Sequence, residues 1–180
     1  MRILCLLANG FEEGEALMPC ALLRRAGLSV DICGVNEINV SGTHGIQVVC
    51  DCMLCDVNPD DYDCLMLPGG RHYQILEKDE RVLKLIREFH DSGRYIACIC
   101  AAPTILGHLG LLKGKKYTCF TSMNEDFGGE YTDAMVETDG KLISAKSVAA
   151  ATDFGLEMVR VLGSDKLAEQ VKKRIYYPES

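Results

Sequence analysis

The sequence predicts an α/β fold in which a mostly parallel sheet carries helices on both faces. Short apolar runs typical of buried strands alternate along the chain with stretches of helical apolar spacing. Two strand pairs closed by glycine-containing turns predict hairpins, which should add antiparallel strands at or near a sheet edge. No linker, repeat or low-complexity tract interrupts the pattern, so residues 1–180 are expected to form a single domain.

The first part of the chain is expected to supply three buried strands, one helix and one hairpin. In chain order these are strand Arg2–Ala8, helix Gly14–Ala26, strand Leu28–Val35, hairpin Ile38–Val40 with Ile46–Leu54, and strand Asp63–Leu67. Gly27 suits the left-handed conformation that commonly ends a helix. The last of these strands runs into Pro68-Gly69-Gly70, a turn signal.

The second part continues the same alternation. Its predicted elements are helix Asp79–His90, strand Tyr95–Cys100, a helix from Pro103, strand Lys116–Thr121, hairpin Met135–Glu137 with Lys141–Ala145, and helices Ala149–Leu162 and Asp165–Tyr176. Because ligands bind beyond the carboxyl ends of strands in such sheets, the loops that leave those ends are the expected site.

Composition and charge narrow the possible partners. The formal net charge is -7 with no basic stripe, which argues against binding to nucleic acid or to anionic membranes. No apolar run approaches the roughly 20 residues that span a bilayer. The N-terminal segment resembles a first strand and not a signal peptide, so a cytoplasmic protein with small-molecule or protein partners is expected.

Ten cysteines raise the question of metal binding. Cys50, Cys52 and Cys55 offer three thiols, and zinc is the alternative interpretation, but no fourth ligand follows at a usual spacing. Strand alternation explains the first two equally well, so we expect no metal and no cofactor. Thiols in this number fit a reducing compartment.

The strongest functional signal is the junction of strand and helix in YIACICAAPTILGH. A sharp strand-to-helix turn at Cys100 would lift its side chain above the sheet, and Pro103 suits the first helical turn. The helix N-terminus should favour a nucleophilic thiolate at Cys100. A plain buried core cysteine is the alternative.

Two further loops bring acidic and backbone groups toward this cysteine. Glu15 follows the first strand in GFEEGE and is succeeded by apolar residues, so a desolvated carboxyl with a raised pKa is expected there. Gly69 and Gly70 let backbone amides approach a ligand closely, and the Gly70 and Ala101 amides are the candidate oxyanion donors.

Four segments together resemble the ThiJ/PfpI superfamily, most closely its DJ-one-like branch: FEEGE, LMLPGG, ACICAAPT and TDGKLISAKSVAAATDFGLEMVRVL, in that branch's order and spacing. The resemblance implies a flavodoxin-like sandwich, usually a homodimer, in which the elbow cysteine is catalytic or oxidation-sensitive and is hydrogen-bonded to the glutamate. Those roles map onto Cys100 and Glu15. Members of the superfamily are described as cofactor-free glyoxalases, deglycases, proteases, chaperones and oxidative-stress sensors.

Two departures from the family pattern help to decide which of these functions to expect for this chain. The protease-like branch carries histidine directly after the nucleophile, where this chain has Ala101, so proteolysis is not expected. The histidine that relatives place near the pocket falls here at Phe120 or Thr121. His72 on the LPGG loop is a candidate substitute, with a solvated loop histidine as the alternative. His44 lies where relatives have an arginine reaching across the dimer, and could bind an anion.

Two hypotheses of different classes follow. In the first, the chain is an enzyme whose Cys100 adds to a small reactive carbonyl, while Glu15 transfers the proton. In the second, it is a protective oxidative-stress sensor or chaperone in which peroxide converts Cys100 to a sulfinate.

Overall fold

A computed structural model describes residues 1–178, which form eleven strands and six α-helices. The strands are β1 Arg2–Leu7, β2 Ser29–Gly34, β3 Asn39–Ser41, β4 Gln47–Val49, β5 Cys52–Met53, β6 Cys64–Leu67, β7 Tyr95–Ile99, β8 Lys116–Tyr117, β9 Glu130–Tyr131, β10 Val136–Asp139 and β11 Leu142–Ala145. The helices are α1 Glu13–Arg25, α2 Tyr73–Leu76, α3 Glu80–Asp91, α4 Pro103–His108, α5 Ala151–Leu162 and α6 Asp165–Arg174.

Seven strands form the central sheet, in the order β10-β11-β7-β6-β1-β2-β5. All neighbours are parallel except β10 and β11, which form the predicted second hairpin at one edge. The chain builds outward from β1 through β2 to β5, then returns to place β6 on the other side of β1. This reversal creates a switch point between β1 and β6, where the loops at the carboxyl ends diverge and leave a crevice.

Alternation along the strands divides the core into two layers. Ile3, Cys5 and Leu7 of β1 belong to the cluster that packs under α1, α5 and α6, whereas Leu4 and Leu6 belong to the cluster under α3 and α4. Because both faces of β1 are covered, the strand is apolar throughout, as is typical of buried parallel strands. The predicted α/β fold with helices on both faces is confirmed. Nowhere in residues 1–178 is a helix both long and apolar enough to span a membrane.

The first hairpin differs from the prediction. The segment expected as one strand, 46–54, is two strands in different sheets: β4 pairs with β3 in a separate hairpin, and β5 joins β2 in the central sheet. The chain bends at Asp51, whose amide donates to the Ile32 carbonyl at 2.7 Å while its carboxylate accepts the Ile32 N–H at 2.8 Å. Asp51 thus occupies both backbone groups of Ile32 in β2. The chain leaves β4 before this residue and enters β5 after it.

The segment after α4 also departs from the expected strand 116–121. Only β8 is extended, and it pairs with β9, which the sequence pattern did not predict. The Thr118 amide donates to the Ser144 hydroxyl at 3.0 Å in place of a ladder partner. The Phe120 amide then donates to the Cys100 carbonyl at 2.8 Å, which fixes this segment beside the elbow. The short helix α2 was likewise not predicted.

Candidate active site

The candidate site lies at the carboxyl ends of β1, β6 and β7, next to the switch point between β1 and β6. Three loops meet there: residues 8–12 after β1, Pro68-Gly69-Gly70 after β6, and Cys100-Ala101-Ala102 after β7. Phe11 forms a bridge to Gly70, and the Glu12 amide donates to the Gly69 carbonyl at 2.9 Å. The first two loops are therefore joined by backbone hydrogen bonds, so their side chains have fixed positions.

Cys100 occupies a strained elbow. Its φ is 64°, in the left-handed region that residues with a side chain seldom adopt. Its amide donates to the Ala145 carbonyl at 2.9 Å and its carbonyl accepts from Phe120, so the neighbouring segments hold the conformation. The side chain is partly exposed, whereas Cys98 in β7 is buried. The geometry is that of a nucleophile elbow.

Glu15 lies against this sulfur and is only 1% exposed. Its Oε2 accepts the Gly69 N–H at 3.0 Å, and the Cys100 thiol and the Val148 amide lie near enough to lower the pKa of the carboxyl. Glu15 lies in the first turn of α1. The Glu12 side chain caps this helix by accepting the Glu15 N–H at 2.7 Å, which fixes the backbone of Glu15. The Val148 amide was missed by the sequence analysis, since a backbone donor leaves no signal in residue types.

Burial raises the pKa of Glu15 to about 7, and Cys100, Gly69 and Val148 only partly oppose the effect. Burial and the adjacent Glu15 carboxylate also raise the pKa of the Cys100 thiol, although the Ala101 and Gly70 amides favour its thiolate. Two negative charges side by side in a buried site are unfavourable, so the pair still holds one proton once Glu15 has titrated. The sequence predicts that the helix N-terminus favours a thiolate at Cys100; α4 has only six residues, and burial and Glu15 act in the opposite direction on the pKa of the thiol.

Close packing explains the glycine at position 69. A Cβ there would lie 2.4 Å from Glu15 Oε2 and 2.6 Å from the Cys100 Cβ, distances that no side chain tolerates. Gly70 has a φ of 94°, and a Cβ there would lie 2.3 Å from the Glu12 amide nitrogen. The Gly70 and Ala101 amides act to lower the pKa of the Cys100 thiol, so they lie on the side of the sulfur where they stabilise negative charge.

His72 lies near the site, but its ring serves the scaffold. The imidazole is fully buried; Nδ1 accepts the Ala8 N–H at 3.2 Å, so Nε2 carries the proton and donates to the Pro68 carbonyl at 2.8 Å. Burial lowers the pKa of His72 to about 4, which keeps the ring neutral. Both nitrogens are thus engaged, and the suggested contact with substrate is corrected: His72 ties the end of β1 to the LPGG loop.

His44 lies on the hairpin loop, with its side chain 69% exposed. Its amide and its Nδ1 contact the buried carboxylate of Glu13 at 2.7 and 2.9 Å. Burial acts to raise the pKa of Glu13, but hydrogen bonds from His44 and Ile46 outweigh it and lower the value. This pairing fixes the hairpin to α1 and was not anticipated from the sequence.

Glu12, Glu13 and His44 are also the one group of three potential metal ligands within 4.8 Å of one another in residues 1–178. The Glu13 carboxylate already accepts the His44 and Ile46 amides and contacts the His44 ring, so these contacts account for the group as a link between the hairpin and α1. Cys50, Cys52 and Cys55 do not form such a group among these described residues, and each is a free thiol.

Phe120 and Thr121 are the two positions to which the sequence resemblance assigned the family's pocket histidine. Phe120 is 44% exposed, and its backbone is bonded to Cys100. Thr121 points away into an exposed cluster, where its hydroxyl donates to Asp133 at 3.2 Å. The backbone of Phe120 is therefore fixed beside the elbow, and neither position offers a titratable side chain there.

Comparison with known proteins agrees with this fold. A family model described as the DJ-1/PfpI family matches residues 1–161. A Pyrococcus furiosus protein named deglycase PfpI is 34% identical over 165 residues, which cover 90% of this chain and 99% of that protein. The crystal structure of Drosophila melanogaster DJ-1beta superposes with a TM-score of 0.92 at 32% identity, covering 99% and 98% of the two chains. Oxidized Toxoplasma gondii DJ-1 superposes with a TM-score of 0.91 at 25% identity, covering 99% of each chain.

Proposed function

The chain belongs to the DJ-1/PfpI family, and on that premise we propose that it is a cofactor-free enzyme acting on small reactive carbonyls, in the manner of a glyoxalase or deglycase. Cys100 is the nucleophile and Glu15 the general acid and base. The name of the Pyrococcus furiosus relative, a deglycase, supports this class of substrate. The ten free cysteines favour a cytoplasmic location.

One observation carries the proposal: a carboxyl only 1% exposed lies beside the sulfur of a strained elbow, and burial there raises the pKa of that carboxyl to about 7. A group that titrates near the working pH both accepts and returns protons efficiently. Because the pair shares one proton, Cys100 does not need to exist as a free thiolate. Glu15 takes the thiol proton as the sulfur–carbon bond forms.

The reaction is argued for an α-oxoaldehyde such as methylglyoxal. The sulfur adds to the aldehyde carbon, and the carbonyl electron pair moves to oxygen, which accepts hydrogen bonds from the Gly70 and Ala101 amides. Glu15 returns the thiol proton to that oxygen, which gives a neutral hemithioacetal and a free carboxylate. The carboxylate then carries the proton of the former aldehyde carbon to the ketone carbon while the hydroxyl proton passes to the ketone oxygen, so the aldehyde carbon is oxidised as the ketone is reduced. Water cleaves the resulting thioester, releasing lactate and restoring the thiol.

The test is NMR of lactate formation from methylglyoxal under reducing conditions. We expect Cys100→Ser to abolish turnover, and Glu15→Gln to lower it by about a hundredfold or more, the usual effect of removing a general acid–base group. Cys55→Ser and Glu130→Gln change exposed residues away from the site and serve as matched controls. Full turnover by Glu15→Gln would contradict the proton-transfer role.

A second candidate function is oxidation sensing. Peroxide would convert the Cys100 thiol to a sulfenic acid with loss of water, and a second peroxide would give the sulfinate, whose oxygens the protonated Glu15 can bind. The partly exposed sulfur and the oxidized form of the Toxoplasma relative favour it. Absence of turnover, together with a gain of two oxygen atoms at Cys100 alone by intact mass, would favour this function.

We also propose that the protein forms a homodimer through α1 and the first hairpin. Exposed apolar side chains surround the first turn of α1: Ile46, whose amide is bonded to Glu13, and Val148, which packs against Gly14, while Met18 lies on the same helix. Light scattering of wild type and Ile46→Glu tests this. A monomeric wild type would contradict it.

A further inference from the structure

A second cavity lies at the opposite end of the sheet from Cys100. Its volume is about 270 Å³, and its walls are the aliphatic side chains of Ile96, Leu106, Leu111 and Leu142. Ile96 is near the amino end of β7, whereas Cys100 follows the carboxyl end of the same strand. The two sites are therefore separated by the length of a strand, and the proposed reaction leaves this cavity without a role.

Two glycines form turns at the rim of this cavity. Gly93 and Gly140 have φ values of 69° and 62°, so the turns they form favour glycine. A Cβ at Gly93 would meet no atom within 4 Å, and one at Gly140 would meet only Lys115 Nζ at 4.0 Å. The space beside these turns is thus not filled by the protein's own side chains.

Positive charge borders this apolar space in a chain whose net charge is -7. Lys141 Nζ lies 3.8 Å from the centre of the Tyr95 ring, and no carboxylate in residues 1–178 is within 4.0 Å of it. Lys115 Nζ lies 4.0 Å from Asp139, whose other oxygen accepts the Lys116 N–H at 2.8 Å. Both ammonium groups therefore retain capacity to bind an anion.

The remaining charged groups around the mouth are already paired. Arg94 stacks on the Phe89 ring and donates to Pro59, Tyr62, Ser92 and Glu88. His90 contacts Asp91 at 3.0 Å. The two lysines are thus the groups left to recognise a ligand.

We propose that this cavity binds a small monocarboxylate with an aliphatic body. The four aliphatic walls would exclude water from the tail, and Lys115 and Lys141 would hold the carboxylate at the mouth. Flexible ammonium groups act as point charges and suit a single carboxylate. The site is independent of the Cys100 chemistry.

Sodium octanoate is the probe, with octanamide as the neutral compound of nearly the same shape. In a ¹H–¹⁵N NMR titration we expect saturable octanoate binding with a dissociation constant below about 1 mM, with shifts at Ile96, Leu111 and Leu142. Octanamide should bind roughly tenfold more weakly. The double variant Lys115→Gln/Lys141→Gln should remove this preference, whereas Cys100→Ser should bind octanoate like wild type.

A blocking variant makes the test independent of charge. Leu111→Trp fills the cavity from its half-buried rim position and should abolish octanoate binding while thermal unfolding remains cooperative. The proposal would be overturned by absence of saturable binding, by equal affinity of wild type for octanoate and octanamide, or by shifts centred on Cys100.

Discussion

Replacing Glu15 by Gln should change how the stability of the protein depends on pH. The ordinary pKa of a glutamate is near 4.5, and burial raises that of Glu15 to about 7. Between these values the native state retains a proton that the unfolded chain has lost. The stability that this retained proton contributes is fully present below pH 4.5 and is lost as the pH rises through 7. Since one pKa unit corresponds to about 1.4 kcal/mol, the loss amounts to about 3 kcal/mol.

A neutral glutamine lacks this dependence while keeping the oxygen that accepts the Gly69 N–H. The free energy of unfolding of Glu15→Gln, relative to that of wild type, should therefore rise by about 3 kcal/mol between pH 4.5 and pH 7.5. The wild-type curve alone is not diagnostic because His72 acts in the opposite sense. Its pKa is lowered to about 4, so the stability it contributes is lost as the pH falls from 6.5 toward 4.

The assay is urea unfolding followed by circular dichroism at several pH values, with reductant present throughout. The observable is the difference between the two curves, in which the His72 contribution cancels. Glu130→Gln, at an exposed position, should parallel wild type. A difference between Glu15→Gln and wild type that stays constant within about 0.5 kcal/mol would refute the reasoning, because it would mean that the carboxyl titrates alike in the folded and unfolded chains.

Two other predictions concern the scaffold. His72→Phe should cost about 2–4 kcal/mol in urea unfolding at pH 7, because it leaves the buried Ala8 N–H and Pro68 carbonyl without partners; unchanged stability would contradict the tethering role. Gly69→Ala should cost about 1–3 kcal/mol from overpacking and reduce carbonyl turnover. Gly110→Ala, where a Cβ meets nothing within 4 Å, should cost about 1 kcal/mol from its positive φ and leave turnover intact; equal effects of the two changes would contradict the packing argument.

Most of the fold was predictable because buried parallel strands and amphipathic helices have distinct apolar periods. The errors fall where pairing depends on distant residues. The bend at Asp51 arises from its bonds to Ile32, and the short β8 depends on a partner after residue 128. A local pattern cannot distinguish one extended segment from two that join different sheets.

In the candidate site, too, features that depend on the local sequence were predictable, whereas features that depend on distant residues were not. Cys100, Glu15 and the glycine loop were identifiable because each follows a strand end with unusual chemistry. The state of the thiol was not, since its pKa depends on how deeply the fold buries the pair. His72 was placed in the right loop, but the Ala8 amide and the Pro68 carbonyl that engage its ring come from the folded backbone.

The position of the site at the reversal between β1 and β6 links its chemistry to folding. Gly69 and Glu15 are 54 positions apart, and Cys100 comes from a third strand. Contacts of such sequence separation form late, after the loops between them have closed. In an unfolded or partly synthesised chain, Cys100 lacks Glu15 and resembles the other nine thiols. Reaction at Cys100 that depends on Glu15 would therefore report that the central strands have assembled, whereas the exposed Cys55 would react in either state.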